Sequence, residues 1–329
     1  MVSSFVFALA SNTVTVLAGT VLLGATAGAI GTWSVLRRRA LIGDVLSHSA
    51  LPGLCAAFWL GCVLGDSGWW PFAPLNYGVL AVGALISGTL SVMLISFLTR
   101  ATRTKEDAAM VVSLSLFYGL GGVFLSLINK SGLASRASGL SGYLFGQAAW
   151  LTDDDVRWIF GVGVVVIGIM LTLYKEFQML IFDGDFGRTL GRPTLLLDLI
   201  LMGCVAATAV IGLKAVGVLL APAMLIVPAA AARFWTDRLR THLLCATAFG
   251  AIAAGGGTLL SSGELGRLDF LGSNLPTGPC IVLCGAAIFL ASLAFAPEKG
   301  VVAKRRRRTR LCAALVSRHD KVDPHEALR

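Results

Sequence analysis

Runs of about twenty consecutive apolar residues recur along this chain, and no other feature restricts its fold so strongly. They fall near residues 15–36, 41–65, 77–98, 107–128, 156–174, 195–212, 215–232, 243–262 and 280–297. A helix needs roughly 20 such residues to cross the hydrocarbon core of a bilayer. A transmembrane barrel would instead alternate polar and apolar residues over segments of about 10, and no such segments occur. Hydrophobic residues make up 56% of the chain and charged residues 14%, against about 25% charged in soluble domains. The expected fold is therefore all-α and polytopic. The runs at 195–212 and 215–232 are separated only by "GLKAVG", so eight and nine spans both fit.

A formal net charge of +9 raises the question of a nucleic-acid partner, but its placement answers it. The basic residues lie between the apolar runs and at the C-terminus. One alternate set of loops holds Arg37 to Arg39, then Arg100, Arg103 and Lys105, then Lys175, Arg188 and Arg192, then Arg233, Arg238 and Arg240. The other set is poorer, with Lys130, Arg136 and Arg267. Because lysine and arginine favour the cytoplasmic side, nine spans would put the N-terminus outside and the C-terminus inside. The N-terminus has no basic n-region, so no cleaved leader is expected. Trp69 and Trp70 in "GDSGWWPFAPLN" read as an interfacial anchor. The Gly/Ser-rich loop at 129–155 contains "SGYLFGQAAWL", apolar enough to dip back into the protein.

Within this apolar setting, "LRRRALIGDVLSHSALPG" sets Asp44 and His48 four residues apart. On a helix that spacing puts both on one face. A carboxylate with an imidazole suits Zn, Mn or Fe better than an alkali cation, and Ser47 is placed to support the pair. An ionisable residue inside a membrane helix marks a functional site by default, because its burial is costly without a partner. Two plainer roles compete: Asp44 pairing with Arg37 or Arg39, and Asp44 capping the helix N-terminus. Two ligands leave a metal's shell incomplete, so others must come from another span, from water or from a second copy of the chain.

A second distinctive stretch is "YKEFQMLIFDGDFGRTLGRP", residues 174–193. Phe182, Phe186 and Leu190 recur at helical spacing, while Asp183, Asp185 and Arg188 fall on other faces. Gly191 and Pro193 form a helix stop. An apolar stripe on such a helix calls for a protein partner or a membrane surface. Further along, Pro222 and Pro228 interrupt an alanine-rich run, the pattern of a kinked, closely packed helix suited to gating.

The remaining polar residues read more simply. Asp198 begins a span, where it caps the helix or faces the bundle. Lys214 lies at an external turn and snorkels. Asp153 to Asp155, Glu264 and Asp269 are expected in solvated external loops. The seven cysteines, Cys280 and Cys284 included, fall mainly in apolar runs as small hydrophobes. The tail at 299–329, with its Arg305 to Arg308 run, is expected to be disordered and drawn to anionic lipid. His319 and His325 with Asp320, Asp323 and Glu326 offer only a weak metal-sensor pattern.

Three motifs in order carry a family resemblance across roughly residues 20 to 240. "GTWSVLRRRALIGDVLSHSALPG" resembles the early segment of the permease subunits of manganese/zinc/iron ABC importers. "YKEFQMLIFDGDFGRTLG" is similar to that family's cytoplasmic loop, and "GLKAVGVLLAPAMLIVPAAAARFWTDRL" to its later signature. The resemblance implies a fold like that of the cobalamin and siderophore importer permeases. It implies a permease domain over 1–298 in a bacterial inner membrane; the basic cytoplasmic tail over 299–329 is a departure from the family's pattern. It implies no permanently bound cofactor and a transported divalent metal, Mn, Zn or Fe. The implied partners are a second permease copy or paralogue, a cytoplasmic ATP-binding subunit and an extracytoplasmic metal-binding protein. The 174–193 loop then becomes the coupling segment, with Phe182, Asp183, Asp185, Phe186, Leu190 and Gly191 at or near the ATPase. Asp44 and His48 become pathway ligands.

The residues themselves agree on one point. The chain contains no G-x-x-x-x-G-K-[ST] loop, so it does not bind ATP through a Walker motif, and it is expected to be a transport subunit and not an enzyme. A stand-alone secondary transporter is the alternative, but such proteins carry more intramembrane acids. A metal-dependent membrane enzyme would need more than the four histidines present, two of which are in the tail.

Overall fold

The computed structural model describes residues 11–37, 39, 41–66, 76–131, 146, 148, 151–218, 220–262, 275–296 and 300. Among these, all regular structure is helical. In chain order the helices are α1 (Ser11–Leu36), α2 (Ile42–Asp66), α3 (Tyr77–Ala101), α4 (Glu106–Lys130), α5 (Asp153–Thr172), α6 (Tyr174–Phe182), α7 (Gly184–Thr189), α8 (Thr194–Val216), α9 (Ala221–Ala232), α10 (Leu239–Ser261) and α11 (Thr277–Phe295). Eight of them are long and apolar enough to cross a membrane. Trp69, Trp70, Glu264, Asp269 and the 301–329 tail lie outside the described residues.

Of the two counts the sequence allows, eight full-length spans hold among the described residues, and the seventh run, 215–232, gives a shorter helix. α8 continues through the "GLKAVG" stretch to Val216 and stops at Gly217, whose φ of 88° is in the left-handed region that glycine tolerates best. α9 then holds only 12 residues. At 1.5 Å per residue that is about 18 Å, short of the ~30 Å hydrocarbon core. Hydropathy divides the two runs within "GLKAVG", ahead of the actual break at Gly217, because that break is conformational. Pro222 stands in the first turn of α9, where a missing N–H costs nothing, so of the two prolines only Pro228 is interior.

Two groups of helices pack around α8. α2, α3 and α4 form one group, and α1, α9, α10 and α11 the other; α8 touches α1, α2 and α3. Without a hydrophobic drive between helices in lipid, close approach and interhelical hydrogen bonds supply the cohesion. α1 uses the first: a Cβ on Gly31 would lie 1.9 Å from the Leu225 carbonyl oxygen of α9. The α2–α4 group uses the second. Ser49 donates to Ser91 Oγ at 2.9 Å, Ser91 and Ser113 share a hydrogen bond of 2.9 Å, and Ser87 donates to the Ser49 carbonyl at 2.6 Å.

The helix ends gather into two faces. One carries Arg37, Arg39, Glu106, Leu180 and Asp198. The other carries Thr15, Asp153, Asp155 and Lys214. Here two sequence expectations change. Asp155 is 2% exposed, not solvated in a loop, because it closes a capping box with Thr152 and ion-pairs with Lys214. Lys214 accordingly does not snorkel free; it also lies 5.8 Å over the Tyr77 ring. Gly146, Ala148 and Leu151, the described residues of the apolar 141–151 segment, are buried against the bundle, as a segment dipping inward would be.

Candidate functional site

α2 begins at Ile42 and places Asp44 in its first turn, one turn before His48. The Asp44 Oδ1 to His48 Nε2 separation is 3.4 Å, long for a hydrogen bond. It is the separation that two ligands take when each stands about 2.1 Å from a tetrahedral cation. The carboxylate is 42% exposed and the imidazole 15%. His48 packs edge-on against Tyr118 of α4, ring centroids 5.1 Å apart, and its buried Nδ1 has no hydrogen-bond partner among the described residues. Ser47 does not join the pair: its hydroxyl is fully buried and donates to the Gly43 carbonyl at 2.8 Å, one turn back on its own helix.

No third metal-ligating side chain gathers with these two among the described residues. Cys280 and Cys284 are free thiols on α11 and take no part. The short helix α9 does reach the pair's base. Leu225 Cδ1 lies 3.1 Å, and Pro222 Cα 3.7 Å, from where a Cβ on Gly43 would sit. Of the gating candidates, Pro222 is thus beside the start of α2, and Pro228 is further along the same helix.

Asp44 is not the partner of Arg37 or Arg39. Arg37 Nη2 lies 2.9 Å from Asp198 Oδ1, and Arg39 Nη1 lies 2.9 Å from Asp198 Oδ2. Arg39 also forks onto Glu106 through Nε at 2.7 Å and Nη2 at 2.5 Å. Burial works against the Arg39 cation, but the Glu106 hydrogen bond and the Asp198 charge outweigh it and raise its pKa. For Arg37 burial prevails and the pKa is lowered. Asp198 therefore faces the bundle, as one of its two sequence readings has it, and does not cap α8. The pairing is invisible in sequence because 159 residues separate Arg39 from Asp198; the only signal was an acid in an apolar run with no local cation.

The 174–193 segment folds as two short helices, not one. The break falls at Asp183, whose side chain accepts a hydrogen bond from the Phe186 N–H at 2.9 Å and so caps α7. Its inner face is fixed by Phe177, fully buried, with Trp33 packed edge-on against both Tyr174 and Phe177. Its outer face presents Phe182, Phe186 and Leu190, 66%, 54% and 57% exposed. Asp185 pairs with Arg188 at the surface, and Gly191, at φ 72°, ends α7 as the stop motif requires.

A family model described as the ABC 3 transport family matches residues 10–296. The chain is 39% identical over 300 residues to the "Manganese transport system membrane protein MntC" of Bacillus subtilis, covering 91% of this chain but only 64% of that protein's length. It is 34% identical to the "Zinc transport system membrane protein TroC" of Treponema pallidum, covering 90% of this chain and 93% of that one. The solved structure of PsaBC from Streptococcus pneumoniae in complex with Fab superposes with a TM-score of 0.73 at 27% identity, over 91% of this chain and 98% of that one. The helical bundle, the unmatched Asp44–His48 pair and the exposed 174–193 face thus occur in a chain that belongs to the ABC 3 transport family.

Proposed function

We propose that this chain is the membrane-spanning permease subunit of an importer that moves Mn, Zn or Fe into the bacterial cytoplasm at the expense of ATP. The observation that carries the reading is the Asp44–His48 pair: ligand-spaced, half open, and not paired with Arg37 or Arg39, which both turn to Asp198. A divalent cation losing water meets one anionic oxygen and one imidazole nitrogen there, a mixed donor set suited to borderline metals. Two donors hold such an ion loosely enough to release it. A second copy of the chain, or a paralogue, supplies the remaining ligands across a shared pathway. The relatives named for manganese and zinc transport support the same metal class.

The energy comes from a separate ATP-binding subunit, since the chain has no phosphate-binding loop of its own. Phe182, Phe186 and Leu190, with Asp183, Asp185 and Gly191 shaping the two short helices, form the docking face for that subunit. An extracytoplasmic metal-binding protein delivers the ion at the opposite face. In this arrangement the arginine-bearing helix ends face the cytoplasm, the N-terminus is outside and the basic tail is inside.

Reconstitution in vesicles with the ATP-binding subunit and the metal-binding protein tests the reading. Uptake of radioactive manganese or zinc is expected only when both ATP and the ATP-binding subunit are present. Uptake by this chain alone, driven by a proton or sodium gradient, would establish the secondary-transporter alternative instead.

A further inference from the structure

Four elements meet at one charged cluster that transport chemistry alone does not call for. Arg37 Nη1 donates to the Leu180 carbonyl of α6 at 3.3 Å, while its Nη2 holds Asp198 at the base of α8. Arg39 shares Asp198 and forks onto Glu106 at the start of α4. Asp198 is the hub, the carboxylate both guanidiniums use. The cluster borders a polar cavity of about 560 Å³ that Asp185 and Arg188 of α7 also line.

The cluster's mechanical connections are direct. On one side it grips the backbone of the segment whose outer face is exposed for docking. On the other, the Arg39 carbonyl accepts the Ile42 N–H at 3.1 Å, so Arg39 anchors the first turn of α2, the turn that carries Asp44. Both arginines and Asp198 are largely buried, with side-chain exposures of 20%, 12% and 15%. Buried ion pairs often add little stability over an apolar replacement of the same volume; their best-attested use is to fix one register or to switch between two.

We propose that Asp198, together with Arg37, Arg39 and Glu106, is a positioning cluster that passes movement of the 174–193 segment to the helix bearing Asp44 and His48. This rests on the importer reading above. The cluster touches neither the metal nor ATP; it sets where α2 stands relative to the docked ATPase. Its loss disconnects hydrolysis from transport, where the loss of a purely structural contact lowers both together.

The test uses the full reconstituted complex and reads the ratio of metal taken up to ATP hydrolysed. For Asp198→Asn the complex is expected to assemble and keep its basal hydrolysis within about twofold, while the ratio falls about tenfold, in the range typical of coupling between sites. Asp198→Glu, which keeps the charge, is expected to restore most of it. Normal uptake by Asp198→Asn overturns the proposal, as does a parallel fall of uptake and hydrolysis with an unchanged ratio. Should Asp198→Asn fail to assemble, Glu106→Gln decides the matter, because it removes only the half-exposed partner of Arg39. A lowered ratio there supports the cluster's role and a normal ratio overturns it. If the wild-type complex shows no ATP-dependent uptake at all, the importer reading has failed, and this inference falls with it.

Discussion

His48 is held on one side by the Tyr118 ring and faces Asp44 across 3.4 Å, so neither member of the pair is satisfied by the other. That half-satisfied state distinguishes it from the buried Lys214–Asp155 pair. Lys214 and Asp155, at the opposite face, illustrate the structural kind: Asp155 is 2% exposed, accepts from Thr152 as well, and ties α5 to α8. Asp155→Asn leaves Lys214 without its counter-charge and is expected to cost about 2–4 kcal/mol, seen as a lowered thermal unfolding midpoint in detergent, with the same metal preference. The Asp44–His48 pair was legible in sequence because four-residue spacing is a local, geometric signal. The Lys214–Asp155 and Arg39–Asp198 pairs were not, since each joins residues that only the packing of α8 brings together.

At the scale of elements, the two faces of the 174–193 segment differ, one buried and one exposed. Phe177 and the Trp33 stack seat it on α1, while Phe182 and Phe186 contribute little to that seat. Phe182→Asp with Phe186→Asp is therefore expected to weaken co-purification of the ATP-binding subunit by tenfold or more, about 1.4 kcal/mol or greater, while the unfolding midpoint of the permease alone barely moves. An equal loss of both would place these residues in the fold instead. α1 makes the converse prediction. Gly31→Ala forces α1 and α9 apart at the Leu225 carbonyl, and a destabilisation of about 1–3 kcal/mol is expected in the same melting assay. The stripe of Phe182, Phe186 and Leu190 could be read from spacing alone. The break at Asp183 and the half-length of α9 could not, because a side-chain cap and a positive φ at Gly217 leave hydropathy unchanged.

At the scale of the whole molecule, α8 stands between two helix groups, with the charged cluster at one end and the Asp155–Lys214 tie at the other. α2 carries the candidate ligands and is in contact with both α8 and α9, so a shift of either is felt at Asp44. The direction of transport depends on which face is cytoplasmic. A reporter fused after Arg329 is expected to be active only in the cytoplasm; activity on the outer side would invert the assignment and the import reading with it. In the proposed importer Asp44 and His48 receive the metal. The most direct test is ATP-dependent uptake of radioactive manganese and zinc by the reconstituted complex, comparing wild type with Asp44→Ala and His48→Ala. The expected result is a fall in uptake of at least about tenfold, equivalent to about 1.4 kcal/mol, with assembly and basal hydrolysis retained. Normal uptake by both variants would rule the pair out and move the metal pathway elsewhere in the bundle.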